Sequence, residues 1–137
     1  MLDLSFNEIS KRINKLVLTN FDLVVGIADG GTVPASLVAY ELGVDLKMIK
    51  ITYRDNNNKP IHNDPVILSQ ENIIDKKVLL VDDVSVSGKT LEAAMKILQG
   101  NSITTLTLKG KADYVLFPEI SECVNWPWKL QQKKQAV

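Results

Sequence analysis

Val78-Leu79-Leu80-Val81-Asp82-Asp83-Val84-Ser85-Val86-Ser87-Gly88-Lys89-Thr90 runs an apolar tetrad into two carboxylates and then into a hydroxyl-rich turn. Four consecutive apolar residues fit a strand covered on both faces. Leu91, Ala94, Met95 and Leu98 then fall at i, i+3, i+4 and i+7, the stripe of an amphipathic helix that Gly100 terminates. The turn therefore opens a helix, where free N–H groups and partial positive charge collect. Ser87, Gly88, Lys89 and Thr90 can wrap a phosphate with backbone amides and two hydroxyls, and Gly88 lets the backbone approach closely. Asp82 and Asp83 repel that phosphate. Carboxylates accept hydrogen bonds, so their fitting partners are a vicinal diol or a hydrated divalent cation. A phosphate at one end and a diol at the other describe a sugar phosphate. The P-loop reading of the same residues fails, because that motif needs a glycine five positions before Gly88 and Asp83 stands there. A receiver domain would need more chain downstream.

Outward from this stretch, helix and strand alternate. Ser5-Phe6-Asn7-Glu8 reads as a capping box ahead of a stripe of Phe6, Ile9, Ile13 and Leu16. Residues 22–28 form a short apolar strand. After Gly30-Gly31, Thr32 is expected to cap a helix with Pro34 in its first turn and Gly43 at its end. Residues 46–53 read as a second strand, and Val66, Ile67 and Leu68 as a short extra one. Residues 103–108 and 114–117 supply the last strands. Residues 54–64 are polar, with three asparagines and Pro60, and read as a long binding loop or lid. This alternation predicts an α/β fold, a mostly parallel central sheet flanked by helices on both faces. Ligands in such sheets bind beyond the carboxyl ends of the strands, where residues 29–32, 54–64, 83–90 and 109–112 converge.

Composition narrows the classes. The 137 residues are 45% hydrophobic and 23% charged, which fits one globular domain over 1–137 and not a disordered chain. Sixteen basic residues balance sixteen acidic ones, so the basic excess typical of nucleic-acid binders is missing. The single cysteine, Cys123, excludes an internal disulfide, and no apolar run nears the ~18 residues of a membrane span. The expectation is a cytoplasmic protein with no membrane or nucleic-acid partner. His62, the only histidine, reads as a solvated loop residue, and no His/Cys cluster supports a protein-built metal cage.

Residues 78–90 resemble the phosphoribosyl-pyrophosphate (PRPP) signature of the type I phosphoribosyltransferases, and the likeness extends over most of the chain. Residues 26–35 look like the family's pyrophosphate loop and the helix after it. Residues 109–115, with 124–128, are similar to the base-binding end of small xanthine/guanine-type members. The resemblance implies that Asp82 and Asp83 are the catalytic pair holding the ribose hydroxyls. Val86, Ser87, Gly88, Lys89 and Thr90 would hold the 5′-phosphate. Ala28, Asp29, Gly30 and Gly31 would present amides to pyrophosphate, and Lys111, Val124 and Trp126 would meet a 6-oxopurine. It implies Mg²⁺ carried in by PRPP near Asp82 and Asp83, purine salvage chemistry, and a dimer or tetramer. A non-catalytic PRPP- or nucleotide-binding regulator of the same fold is the alternative. Arg54 and Lys59 would sit on the closing lid.

Three positions depart from that pattern. Val86 stands where small 6-oxopurine enzymes carry an acid, Cys123 where relatives often have a stacking aromatic, and Asp29 where the loop is basic or neutral. A carboxylate ~4 Å from pyrophosphate costs roughly 4 kcal/mol per unit charge at an effective dielectric of 20. Asp29 is therefore expected to point away, to bind the Mg²⁺, or to mark a loop that no longer holds pyrophosphate.

Overall fold

The computed structural model describes residues 1–52, 66–69 and 72–129. Its elements are β1 (Leu2–Asp3), α1 (Phe6–Asn14), β2 (Leu23–Ala28), α2 (Thr32–Leu42), β3 (Asp45–Thr52), β4 (Val66–Ser69), β5 (Lys77–Ser85), α3 (Lys89–Ile97), β6 (Ser102–Gly110), β7 (Tyr114–Val115) and β8 (Val124–Asn125). Six strands form the central sheet in the order β4-β3-β2-β5-β6-β7. All neighbours run parallel except β3 and β4. The expected α/β architecture is the observed one, and residues 54–64 lie outside the described residues.

Alternation along the strands divides the core into two layers. Val24, Leu79, Val81, Leu106 and Leu108 face Ile9 and Ile13 of α1 and Ala35, Val38 and Ala39 of α2. Leu23, Val25, Ile27, Ile49, Ile51, Val78 and Leu80 face Leu91, Ala94 and Leu98 around α3. Met95, from the same predicted stripe, stays 40% exposed. Each fully buried Leu, Ile or Val contributes about 1.5–3 kcal/mol of transfer free energy. A one-residue slip of β5 would exchange the two layers, so the burial pattern fixes the register. The register in turn brings the carboxyl ends of β2, β5 and β6 to one rim.

The ends of the chain are tied together. β1 pairs with β8, Leu2 opposite Val124 and Asp3 opposite Asn125. Trp128 stacks on Trp126 with centroids 5.5 Å apart, and Phe6 tilts against Trp128. The capping box on α1 forms as read: Ser5 Oγ accepts from the Glu8 amide, and Glu8 Oε1 accepts from the Ser5 amide.

Two local expectations are corrected. Gly31, not Thr32, is the N-cap of α2, with no side-chain cap bond. A Cβ at Gly31 would lie 2.6 Å from Ile27 O and 2.8 Å from Val81 O, so the helix starts where backbone packs on backbone and only glycine fits. In addition, β5 does not stop at Val81. It continues through both carboxylates to Ser85, because its ladder with β6 persists: Asp82 opposite Thr107, Val84 opposite Lys109 and Ser85 opposite Gly110.

Candidate functional site at the carboxyl rim

Asp82 is 7% exposed and Asp83 half-buried. Asp82 Oδ1 accepts from the Asp83 amide at 2.8 Å, and Asp83 Oδ1 from the Val84 amide at 2.7 Å. These bonds hold the two carboxylates side by side at the end of a buried strand. Burial is the main force on Asp82, and the charge of Asp83 adds to it; together they push its pKa from 3.8 up to about 8. A buried acid this reluctant to ionise, beside a second carboxylate at a strand end, marks a candidate functional site.

The sign of the pH effect follows. The folded state holds the Asp82 proton more tightly than the unfolded state, so this group's contribution to stability is fullest below about pH 4. It is lost as pH rises toward 8. Replacing Asp82 by Asn removes the cost. At ~1.4 kcal/mol per pKa unit, and allowing for water at the rim, the ligand-free Asn variant should be more stable than the parent by about 2–4 kcal/mol at pH 8.5. It should gain almost nothing at pH 4. Urea unfolding at the two pH values checks this, and an equal gain at both would show that Asp82 ionises freely.

The loop after β2 packs onto this pair. A Cβ at Gly30 would meet Asp83 Oδ2 at 2.6 Å, so glycine lets the loop approach the carboxylate without displacing it. Gly31 donates its own amide to Ile27 O at 2.8 Å. The amides of Asp29 and Gly30 have no acceptor among the described residues. Asp29 is largely exposed, and its Oδ2 lies 3.5 Å from Lys50 Nζ on β3. The acid in this loop is thus partly neutralised by a lysine from the neighbouring strand, a pairing that local sequence does not reveal.

The turn from β5 to α3 follows the pair in the chain. Gly88 caps α3 at φ +84°, and Lys89 N–H donates to Ser87 Oγ at 3.3 Å. The Ser87 and Gly88 amides have no acceptor among the described residues, which leaves them, with the first turn of α3, available to an anion. Val86 is 77% exposed. Thus Ala28 to Gly31, Asp82 and Asp83, and Val86 to Thr90 share one rim.

A cavity of about 380 Å³ adjoins the end of β5, lined by Val84, Ser85, Val86, Lys109, Gly110 and Lys111 on one side and by Phe117, Pro118, Ile120 and Ser121 on the other. Lys111 N–H donates to Ser85 O at 2.8 Å, and Lys109 Nζ to Glu122 O. Of the residues expected at a base, Lys111 is here. Val124 and Trp126 are not: Val124 pairs in β8, and Trp126 is 2% exposed in the core against Trp128. The Trp-Pro-Trp segment anchors the chain end, and Cys123 is exposed beside it. Phe117, Pro118, Ile120 and Ser121 stand there instead as cavity wall, with no signal of that role in the sequence.

Residues 4–129 match the model of the phosphoribosyl transferase domain. The chain belongs to the phosphoribosyltransferase family. The chain is similar in fold to the purine phosphoribosyltransferase of Pyrococcus horikoshii, with 28% identity and a TM-score of 0.78 over 95% of this chain and 94% of that one. It is 36% identical over 84 residues to the transcriptional regulator GfcR of Methanocella arvoryzae, covering 59% of this chain and 41% of the relative. It is 31% identical over 90 residues to the orotate phosphoribosyltransferase of Sulfurisphaera tokodaii, covering 66% of this chain and 43% of the relative. The chain thus spans about two fifths of the curated relatives it matches. Among the described residues, no helix is long and apolar enough to cross a membrane, and no group of three or more His, Cys, Asp or Glu could hold a metal.

Proposed function

We propose that this protein moves ribose 5-phosphate from PRPP to a nitrogenous base, a 6-oxopurine, and releases pyrophosphate. The observation that carries the reading is the close approach of Gly30 to the Asp83 carboxylate: a loop whose Asp29 and Gly30 amides have no acceptor among the described residues lies against an acid pair that runs into a turn with free amides at a helix start. In this reading Val86 to Thr90 hold the 5′-phosphate, and Asp82 and Asp83 accept from the ribose hydroxyls. Ala28 to Gly31 face the pyrophosphate, with Lys50 offsetting part of the Asp29 charge. As the bond to pyrophosphate breaks, the ribose becomes cationic, and the two carboxylates lower the energy of that state.

The residues fit Mg²⁺ carried by the substrate. Asp82 and Asp83 offer hard oxygen donors beside the unengaged amides, while the described residues build no cage of their own. Bound there, the ion would neutralise charge on the departing pyrophosphate. The cavity is the fitting place for the base. Lys109 and Lys111 are its only ionisable wall residues among those described, so it favours bases that present oxygens over one that presents an amino group.

A second reading, a PRPP- or nucleotide-binding regulator, is favoured by the exposed Val86, where small 6-oxopurine enzymes carry an acid, and by the likeness to GfcR. General acid–base help is worth ~10²–10⁴ in rate, so its absence slows transfer without abolishing it. Mixing the protein with PRPP, Mg²⁺ and guanine, xanthine, hypoxanthine, adenine or orotate separates the two. Base-dependent pyrophosphate release, fastest with an oxo base, is the expected result. Tight PRPP binding with no release on any base would establish the regulator instead.

A further inference from the structure

We propose that Arg12, on α1, is a positioning residue that holds residues 117–121 as the specificity wall of the cavity. The proposal rests on the reading of that cavity as the base site. Arg12 Nη1 donates to Leu116 O at 2.5 Å and to Glu119 Oε1 at 3.2 Å, while Nη2 donates to Glu119 Oε2. The guanidinium carbon lies 4.4 Å from the centre of the Phe117 ring. One side chain therefore grips the carbonyl that precedes the wall, the ring that begins it and the carboxylate in its middle.

Leu116 and Phe117 are buried in the core and Ile120 packs against it, but the wall has few backbone bonds of its own. β7 ends at Val115, and the ladder to β6 ends with the bonds Leu116 N–H to Thr107 O and Phe117 N–H to Leu108 O. Beyond Phe117 the described backbone adds the turn bond Ile120 N–H to Phe117 O at 3.2 Å. Arg12 does not line the cavity, so it acts through Phe117, Pro118 and Ile120 and not on the ligand. The task suits arginine and not lysine, because a planar fork can stack on a ring and bind a carboxylate with two bonds while a point ammonium cannot.

The test uses the whole chain with Arg12→Gln, Arg12→Lys and Glu119→Gln; the last changes an exposed side chain and serves if Arg12→Gln does not fold. Hydrogen exchange of the ligand-free protein should quicken about tenfold at the hydrogen-bonded amides of Leu116, Phe117 and Ile120 in Arg12→Gln, with no change in α3. Calorimetry should then show guanosine 5′-monophosphate bound about tenfold more weakly, ribose 5-phosphate within about twofold of the parent, and Arg12→Lys in between. Unchanged exchange at these amides overturns the clamp whatever the ligands do. A parallel loss for both ligands overturns the specificity role, since it marks a residue that merely supports the fold. If the parent protein binds the nucleotide no better than ribose 5-phosphate, the base reading of the cavity falls, and the proposal falls with it.

Discussion

Asp82→Asn combined with Asp83→Asn should lower PRPP affinity by about 10²–10⁴, since a hydrogen bond to a charged group is worth ~1.5–3 kcal/mol and two are removed. The substitution preserves size, and at Asp82 it removes an acid that resists ionisation, with a pKa near 8. Loss of fold is therefore not the expected route. Inorganic phosphate reports on the turn alone. Its proposed partners are the amides around Ser87 and Gly88 and the first turn of α3, which the substitution leaves in place. Phosphate affinity should stay within about threefold of the parent, because losing two nearby negative charges favours an anion and opposes any small distortion. Calorimetric titration with each ligand at pH 8.5, where Asp82 is largely ionised, gives the cleanest contrast. Equal loss of both ligands would mean that the carboxylates shape the turn and do not contact the sugar.

Much of this arrangement was legible because its signals are local. Val78 to Val81 could only be a buried strand, Ser5 and Glu8 form their capping box within four residues, and Gly43 takes the left-handed conformation at φ +69° that its place after a helix implied. The acid pair and the glycine turn are likewise contiguous. What stayed hidden is set by partners far apart in the chain. β5 extends to Ser85 because β6 pairs with it, and two acids in sequence read equally well as a strand end. Gly31 caps α2 because the carbonyls of Ile27 and Val81 leave no room for a side chain, a crowding that no local rule encodes. Trp126 could have faced a ligand or the core; its stacking on Trp128 and their contact with Phe6, from the other end of the chain, decide for the core. The wall at 117–121 is held by a residue 104 positions earlier than Leu116. The site's chemistry is thus written locally, and its walls are written in tertiary contacts.

Gly110→Ala should be the most disruptive single methyl group in the molecule. At Gly110, φ is +97°, and an added Cβ would sit 1.9 Å from Ser85 O, 2.7 Å from Ser85 C and 2.9 Å from Ser85 N. All three are backbone atoms of the paired strand, so no side chain can rotate to relieve the overlap. The strands must separate, which breaks the bond from Lys111 N–H to Ser85 O and shifts Lys109 and Lys111 at the cavity. A combined cost on the order of 4 kcal/mol is expected, at the upper end of single-substitution effects. Gly88→Ala is the control. That glycine also has positive φ, +84°, but its Cβ would meet nothing within 4 Å, so the cost is the left-handed backbone alone, about 1–2 kcal/mol. Urea unfolding of the two variants side by side isolates the contact between β5 and β6 from the shared backbone penalty. Equal destabilisation would mean that the carboxyl ends of these strands are not packed as tightly as the geometry requires, and the rim would then be too loose to hold the cradle and the cavity in one site.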